Sequence, residues 1–246
     1  MSGRVLWPAL LAAGLVASAT APLGTAPAQA NGGTIKGRIR LSGTLPGNSI
    51  IRMGVDPMCA SVNKGKRPVQ ELVVTSADGG LANVFVRLQG TFPPTPVPAA
   101  PVAIDQRGCI YTPRVVGAQV GQTLQVRNSD PLLHNVHTMS TGRNSFNVGQ
   151  PLSGMVYEFK LQHEEIMLPL KCDVHRWMTT YIGVVSHPYF AVSGSDGAFA
   201  IQNAPAGAYT VQTWHERYGG LSQRVTVKPG ATTTVELAYT GNEKAP

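Results

Sequence analysis

The chain has 246 residues, 43% hydrophobic and only 13% charged, a balance that excludes an intrinsically disordered polypeptide. Its 27 glycines and 19 prolines follow no every-third period, which excludes collagen and favours short strands joined by turns over helical bundles. The formal net charge of +7 favours anionic partners, but without a basic stripe interleaved with aromatic residues it does not point to nucleic acid.

Residues 1–30 read as a signal peptide. Arg4 supplies a short positive start, Val5 to Ala19 is apolar, and Ala28-Gln29-Ala30 has the A-x-A form of a cleavage site. The apolar stretch falls short of the roughly 20 residues that span a bilayer, and no later stretch approaches that length. The expectation is a periplasmic or secreted protein, cleaved near Ala30, with no membrane span. An oxidising compartment favours paired cysteines. With three in the chain, the natural division is a Cys59–Cys109 disulfide and a Cys172 thiolate kept for chemistry.

From residue 33 onward, apolar and polar residues alternate almost everywhere. Ile35, Ile39 and Leu41 share one face, with Lys36, Arg38 and Arg40 on the other. The run Lys64-Gly65-Lys66-Arg67 reads as a solvated loop. Val84, Val86 and Leu88 then alternate with Phe85 and Arg87. The stretch 91–101, TFPPTPVPAAP, cannot be a central strand and reads as a stiff, extended connector. Beyond it the period of two resumes at Leu124/Val126, Tyr157/Phe159/Leu161, Phe199/Ile201, Tyr209/Val211, Val225/Val227 and Val235/Leu237/Tyr239. Asp78-Gly79-Gly80, Asp196-Gly197 and Pro229-Gly230 are turn signals between strands. No segment shows the period of an amphipathic helix. The fold class is all-β, built from sandwiches.

The last sixty residues carry a D-G-x-F turn (Asp196, Gly197, Phe199), then P-x-G-x-Y (Pro205, Gly207, Tyr209), then two closing strands. This pattern resembles the carboxypeptidase-regulatory-like, or transthyretin-like, β-sandwich. The opening strands of that family have their counterparts far upstream, GTIKGRIRL at 33–41 and LANVFVRL at 81–88. Neither part alone has enough strands to close a sandwich. The expected organisation is therefore a discontinuous host, residues 31–97 and 188–246, interrupted by an inserted module at 98–187. Two unrelated modules in tandem are the alternative.

The inserted stretch holds His134 in Leu132-Leu133-His134-Asn135-Val136-His137, and then Cys172, His175 and Met178 in a single short loop. A thiolate, two imidazoles and a thioether are the donors of a blue copper site, a His₂Cys plane with a weak axial Met. One donor comes from an early strand and three from one tight loop, so a rigid sandwich end can hold them at fixed geometry. In these residues the chain resembles the cupredoxins, closest to the amicyanins, which share the C-x₂-H-x₂-M loop, the aromatic before the Met (here Trp177) and H-N-V-H around the first ligand. Arg176 stands where that branch has proline. The resemblance implies a cupredoxin-like Greek-key sandwich beside the second, smaller one. It also implies one type 1 copper on His134, Cys172, His175 and Met178, with Asn135 tying the two ligand loops together. His175 is then expected near the surface as the electron port, ringed by Pro131, Leu132, Leu133 and Trp177.

Alternation along a strand points His137 away from the ligands, and His163, His187 and His215 have no partners at metal spacing. Enzyme motifs are incomplete. His163-Glu164 lacks the second His of a zinc protease, because position 167 is Met, His215-Glu216 fails likewise, and no G-x-S-x-G is present. Zinc suits Cys and His but gains little from Met178. The reading is a non-enzymatic, exported electron carrier. Copper binding or delivery without redox turnover is the rival, and a structural sandwich with a vestigial site the third. The amicyanin resemblance implies a redox protein partner such as a quinoprotein dehydrogenase or a c-type cytochrome.

Overall fold

The computed structural model describes residues 32–244, and the expected signal peptide lies outside them. The described chain is almost entirely β, as the alternation predicts. Strands β1 (Gly33–Leu41) and β2 (Phe85–Gln89) are separated by a long segment with a 3₁₀ turn, Met53–Val55, and a short helix α1, Pro57–Val62. Next come β3 (Val102–Gln106), β4 (Tyr111–Thr112), β5 (Val115–Gln119), β6 (Thr123–Asn128) and β7 (His134–Thr138). They are followed by β8 (Asn147–Gln150), β9 (Val156–Lys160), β10 (Glu165–Lys171) and β11 (Thr179–Val185). The remaining strands are β12 (Phe190–Val192), β13 (Ala198–Ala204), β14 (Gly207–Trp214), β15 (Ser222–Val227) and β16 (Thr232–Tyr239).

Among the described residues, four sheets enclose two apolar cores. In the first sandwich, the sheet β13-β1-β16 shares a core with β12-β2-β14-β15. In the second, β5-β11-β10-β7-β8 shares one with β4-β3-β6-β9. The period of two explains which side chains go inward. Ile35 and Ile39 on β1, like Val86 and Leu88 on β2, are fully buried in the first core, each worth about 1.5–3 kcal/mol relative to exposure. Strand β1 finds both its neighbours late in the chain. It runs antiparallel to β13 (Ile35 opposite Ile201) and parallel to β16 (Ile35 opposite Thr233). Strand β2 lies beside β12, with Phe190 opposite Arg87, so the chain leaves this sandwich at Gln89 and returns to it at Phe190 on an adjacent strand.

The two sandwiches touch through a third apolar cluster. Phe85 alternates with the inward-facing Val84 and Val86, so its ring leaves the opposite face of β2 and is buried against Val115 and Val185 of the second sandwich. Glycines make room for it. A Cβ on Gly183 would lie 2.4 Å from the Phe85 ring, and one on Gly117 would lie 2.4 Å from Phe190. Arg114, just before β5, adds a nearly buried ion pair with Glu216, beyond β14, at 2.6 Å.

The segment between β1 and β2 departs from the expected organisation. Its sequence position places it in the first module, yet Ile51, Met53 and Cys59 are buried in the core of the second. The Cys59–Cys109 disulfide anchors it, with Cα atoms 5.8 Å apart, and Asn63 Nδ2 donates to the Gly108 carbonyl at 2.9 Å. Helix α1 has a local cause. Pro57 occupies its first turn without losing a needed N–H, and the Asp56 carboxylate caps the N–H groups of Met58 and Cys59.

The glycine gap under Phe85 sets up a clean test of the join between sandwiches. Gly183→Ala is expected to lower unfolding stability by about 1–3 kcal/mol through overpacking. Gly149→Ala on β8, where nothing lies within 4 Å of the new Cβ, should be nearly neutral. Urea unfolding midpoints check this, and equal midpoints for the two variants would mean that the Phe85 ring swings aside freely.

Candidate metal centre

His134 opens β7, Cys172 follows the last residue of β10, and His175 and Met178 lie in the loop that leads to β11. The loop folds on itself. The His175 N–H points at Cys172 Sγ (3.4 Å), Met178 N–H donates to the His175 carbonyl (2.8 Å), and Cys172 N–H donates to the Met178 carbonyl (3.3 Å). Those contacts bring one nitrogen of each imidazole and the Cys172 sulfur within 4.8 Å of one another. The two Nδ1 atoms are 3.0 Å apart, and His175 Nδ1 is 3.7 Å from the sulfur. All three residues are at most 2% exposed, and Met178 is buried in the same core as Cys172.

Asn135 connects the two parts of the site. Its N–H points at Cys172 Sγ (3.5 Å), its side-chain carbonyl accepts the Asp173 N–H, and its amide nitrogen donates to Asp173 Oδ2 (3.0 Å). His137 turns outward and pairs with Asp173 at 3.0 Å, away from the three donors.

Two carboxylates complete the arrangement, and neither was identified from the sequence. Asp130 Oδ2 lies 2.9 Å from His134 Nε2, and Asp56 Oδ2 lies 3.0 Å from His175 Nε2. An ionised carboxylate only accepts, so each Nε2 carries the hydrogen. The inward Nδ1 is therefore where each ring takes a further proton or a metal: protonated, it donates to the Cys172 sulfur, and deprotonated, it presents a lone pair there. Both aspartates precede a proline, Asp56-Pro57 and Asp130-Pro131. That dipeptide marks turns and helix starts, a signal for local structure with nothing in it about histidine.

The charges reinforce one another. Burial works against ionised Cys172, but hydrogen bonds from both imidazoles and from the Asn135 and His175 N–H groups outweigh it and bring the thiol down to about 6. Burial likewise opposes protonated His134, while Asp130 and the Cys172 sulfur outweigh it and lift the ring to about 8. The His175 hydrogen bond holds Asp56 below its ordinary value. Asp130 is held down too, against burial, by His134 and by the Cys109 and Gly108 N–H groups. A thiolate and two imidazole nitrogens facing one another in a buried site fit a soft or borderline cation, which would take the place of the proton that His134 otherwise holds. The Cys59 and Cys109 sulfurs also lie within 4.8 Å of a His175 nitrogen, but they are bonded to each other and offer no thiolate.

Two expectations about the surface need correction. His175 is 1% exposed, because the 50–71 segment lays Asp56 over its outer nitrogen, so its edge is not open to solvent. Leu132 belongs to the core, at 9% exposure, where it packs with Val136. Of the expected apolar ring, Leu133 (46%) and Pro131 are exposed and Trp177 is half-buried.

The other histidines serve the fold. His163 lies 3.5 Å from Glu165, and His187 packs between Phe92 and Tyr189. His215 is buried and its Nδ1 accepts from the Arg217 N–H at 3.2 Å.

No protein-family model matches the chain, and no curated protein does. Among solved structures it is similar to a copper-containing nitrite reductase from Thermus scotoductus SA-01, at 21% identity over 37% of this chain and 25% of that one, with a TM-score of 0.32. It is also similar to a purple cupredoxin from Nitrosopumilus maritimus, at 22% identity over 33% of this chain and 97% of that one, TM-score 0.30. A mutant of amicyanin in its Cu(I) form matches at 16% identity over 40% of this chain and 97% of that one, TM-score 0.31. The chain thus spans about a quarter of the nitrite reductase's length. Among the described residues, no helix is long and apolar enough to cross a membrane.

Outer partners of ligating histidines typically carry 10–100-fold of metal affinity. Asp56→Ala and Asp130→Ala are each expected to weaken metal binding by roughly that factor, measured by competition with a chromophoric chelator. Unchanged affinity in either variant would show that its carboxylate does not hold the ring for the metal.

Burial, with Arg114 and Arg217 nearby, pushes His215 down to about 4, whereas an unfolded chain protonates it near 6.5. Between those values the unfolded state binds the extra proton, so stability falls as pH drops through that window. The whole shift corresponds to something on the order of 3 kcal/mol at 1.36 kcal/mol per unit. Urea unfolding at pH 7 and pH 4.5 should show a smaller acid loss for His215→Gln than for the wild type. Equal losses would place the acid sensitivity elsewhere.

Proposed function

We propose that the protein is an exported single-copper electron carrier with a type 1, blue copper site on His134, Cys172, His175 and Met178. One observation carries the reading. Two imidazole Nδ1 atoms and a sulfur converge in a buried site, with both outer nitrogens fixed by carboxylates. Copper held there supplies one-electron chemistry by alternating between Cu(I) and Cu(II).

The chain's own residues account for the rest. Cys172, already favoured as a thiolate, would give the soft anionic donor, and the two imidazoles would hold the ion beside it. Met178 supplies a weak thioether that tunes the reduction potential. Asp56, Asp130 and Asn135 keep the donors from rearranging when the oxidation state changes. Delivery of copper to another protein needs an exposed, exchangeable site, and donors at most 2% exposed disfavour it.

In this reading residues 98–187 are a cupredoxin-like module inserted in a regulatory-like sandwich formed by 31–97 and 188–246, except that the strap around 50–71 packs with the inserted module. The side-by-side pairing of β2 and β12, where the chain leaves and returns, supports that organisation. The amicyanin resemblance makes a quinoprotein dehydrogenase or a c-type cytochrome the kind of partner expected.

The visible spectrum of the oxidised, copper-loaded protein tests the proposal. An intense blue or green Cys-to-Cu(II) band is expected, and Cys172→Ser should abolish it. Met178→Leu should keep copper and raise the reduction potential, because removing a weak donor favours Cu(I). Binding of Cu(I) or zinc alone, or a copper-loaded oxidised protein without the band, would overturn the electron-transfer reading in favour of copper handling.

A further inference from the structure

The outer nitrogen of His175 is capped by the Asp56 carboxylate, so an electron path through that edge would have to cross a charged, partly exposed side chain instead of an open imidazole edge. The neighbouring outlet is Trp177. Its ring centroid lies 5.1 Å from that of His175, its Nε1–H donates to the Cys109 carbonyl at 2.8 Å, and its own carbonyl accepts from Gln70 Nε2 at 3.3 Å. Trp177 and Met178 form part of the wall of an open cleft of about 540 Å³, between the segment around 63–71 and the loops around 105–114.

The rim of this cleft is basic. Arg107 pairs with Asp105 at 3.1 Å, and Arg114 pairs with Glu216. Lys66 and Arg67 are exposed and form no ion pair among the described residues, leaving Glu71 as the opposing charge in the lining. The basic run therefore sits on the same disulfide-anchored segment that carries Asp56. One stretch of chain covers the expected port and places uncompensated positive charge beside the remaining one.

We propose that this cleft is the docking face for the redox partner, that it takes an acidic protein surface, and that Trp177 is the contact through which electrons pass between that surface and His175. The proposal rests on the electron-carrier reading and names its partner's chemistry. Transient redox complexes use small contact areas, and complementary charge acts on them chiefly through the encounter rate. Unpaired lysine and arginine at the rim of a cleft that ends on a ligand-loop tryptophan match both conditions.

The test follows reduction of the oxidised, copper-loaded protein by reduced cytochrome b5, an acidic haem protein, in a stopped-flow instrument at low and high salt. The wild-type rate should fall as salt rises. Lys66→Glu with Arg67→Glu should slow it about tenfold or more at low salt, with the visible band unchanged. Arg224→Glu with Lys228→Glu changes net charge equally at residues that do not line the cleft, and should alter the rate less than about twofold. Equal slowing by both double variants would reduce the effect to global charge, and no slowing by the cleft variant would place the port elsewhere. Either result overturns the cleft while the blue band keeps the copper reading intact. A wild-type protein without the band, or one that neither cytochrome b5 nor ascorbate reduces, removes both.

Discussion

Two carboxylates each grip the outer nitrogen of an imidazole, Asp130 on His134 and Asp56 on His175, and the rest of the site depends on those grips. A neutral imidazole has one donor and one acceptor nitrogen, and either assignment is open until a partner decides it. The aspartates decide it twice in the same sense. Each keeps a hydrogen on the outer nitrogen, so the inward Nδ1, facing the other ring and a sulfur that ionises readily, is left to take a proton or a metal. Such a cluster is costly to leave without positive charge in a low-dielectric interior. The same contacts that build the donor set thus create the demand for a cation.

Asp56 does this from an unusual position. One oxygen caps the short helix α1 while the other holds His175, so the helix start and the ring orientation are set by a single side chain. Six residues of helix are far too few to be stable alone. What keeps α1 in register with the metal loop is the Cys59–Cys109 bond and the packing of Ile51 and Met53 into the second core. The disulfide therefore bears on the ligand geometry as well as on the entropy of the unfolded chain. It joins the strap to the loop whose N–H groups, at Gly108 and Cys109, hold Asp130.

How much of this was legible in the sequence follows from the range of each interaction. The proposed donor quartet could be picked out because three of its members lie within seven residues and the donor types are distinctive. The strands could be read because Ile35 and Ile39, or Leu124 and Val126, keep a strict period of two. Asp56 could not, since it lies 119 residues from His175 and its only local signal is a helix cap. The exposure of His175 was misjudged for the same reason. Local pattern shows that a loop end is available to solvent, and only the fold shows that a distant strap covers it. Leu132 is not legible from composition, because Pro131-Leu132-Leu133 reads as one apolar patch although Leu132 alone turns into the core while its neighbours stay exposed. Phe85 is the converse case. Placed on the outward face by alternation, it is buried because a second sandwich stands there.

The first sandwich bears on the metal loop as well. Arg114 donates to the Thr179 carbonyl at 3.0 Å, one residue beyond Met178, while its other nitrogens are held by Glu216 of the first sandwich. Tyr181 on β11 packs against Trp214 of β14, at 5.0 Å between ring centroids. The strand that leaves the ligand loop is therefore braced from outside its own sheet, close to the residue that would serve as axial donor. A thioether is a weak donor, so a metal would do little to place Met178, and its position would come from the backbone that carries it. Shifts in the packing of one sandwich against the other would in this way reach the backbone next to Met178. A sandwich that holds none of the proposed donors would thus have a physical route to the proposed site.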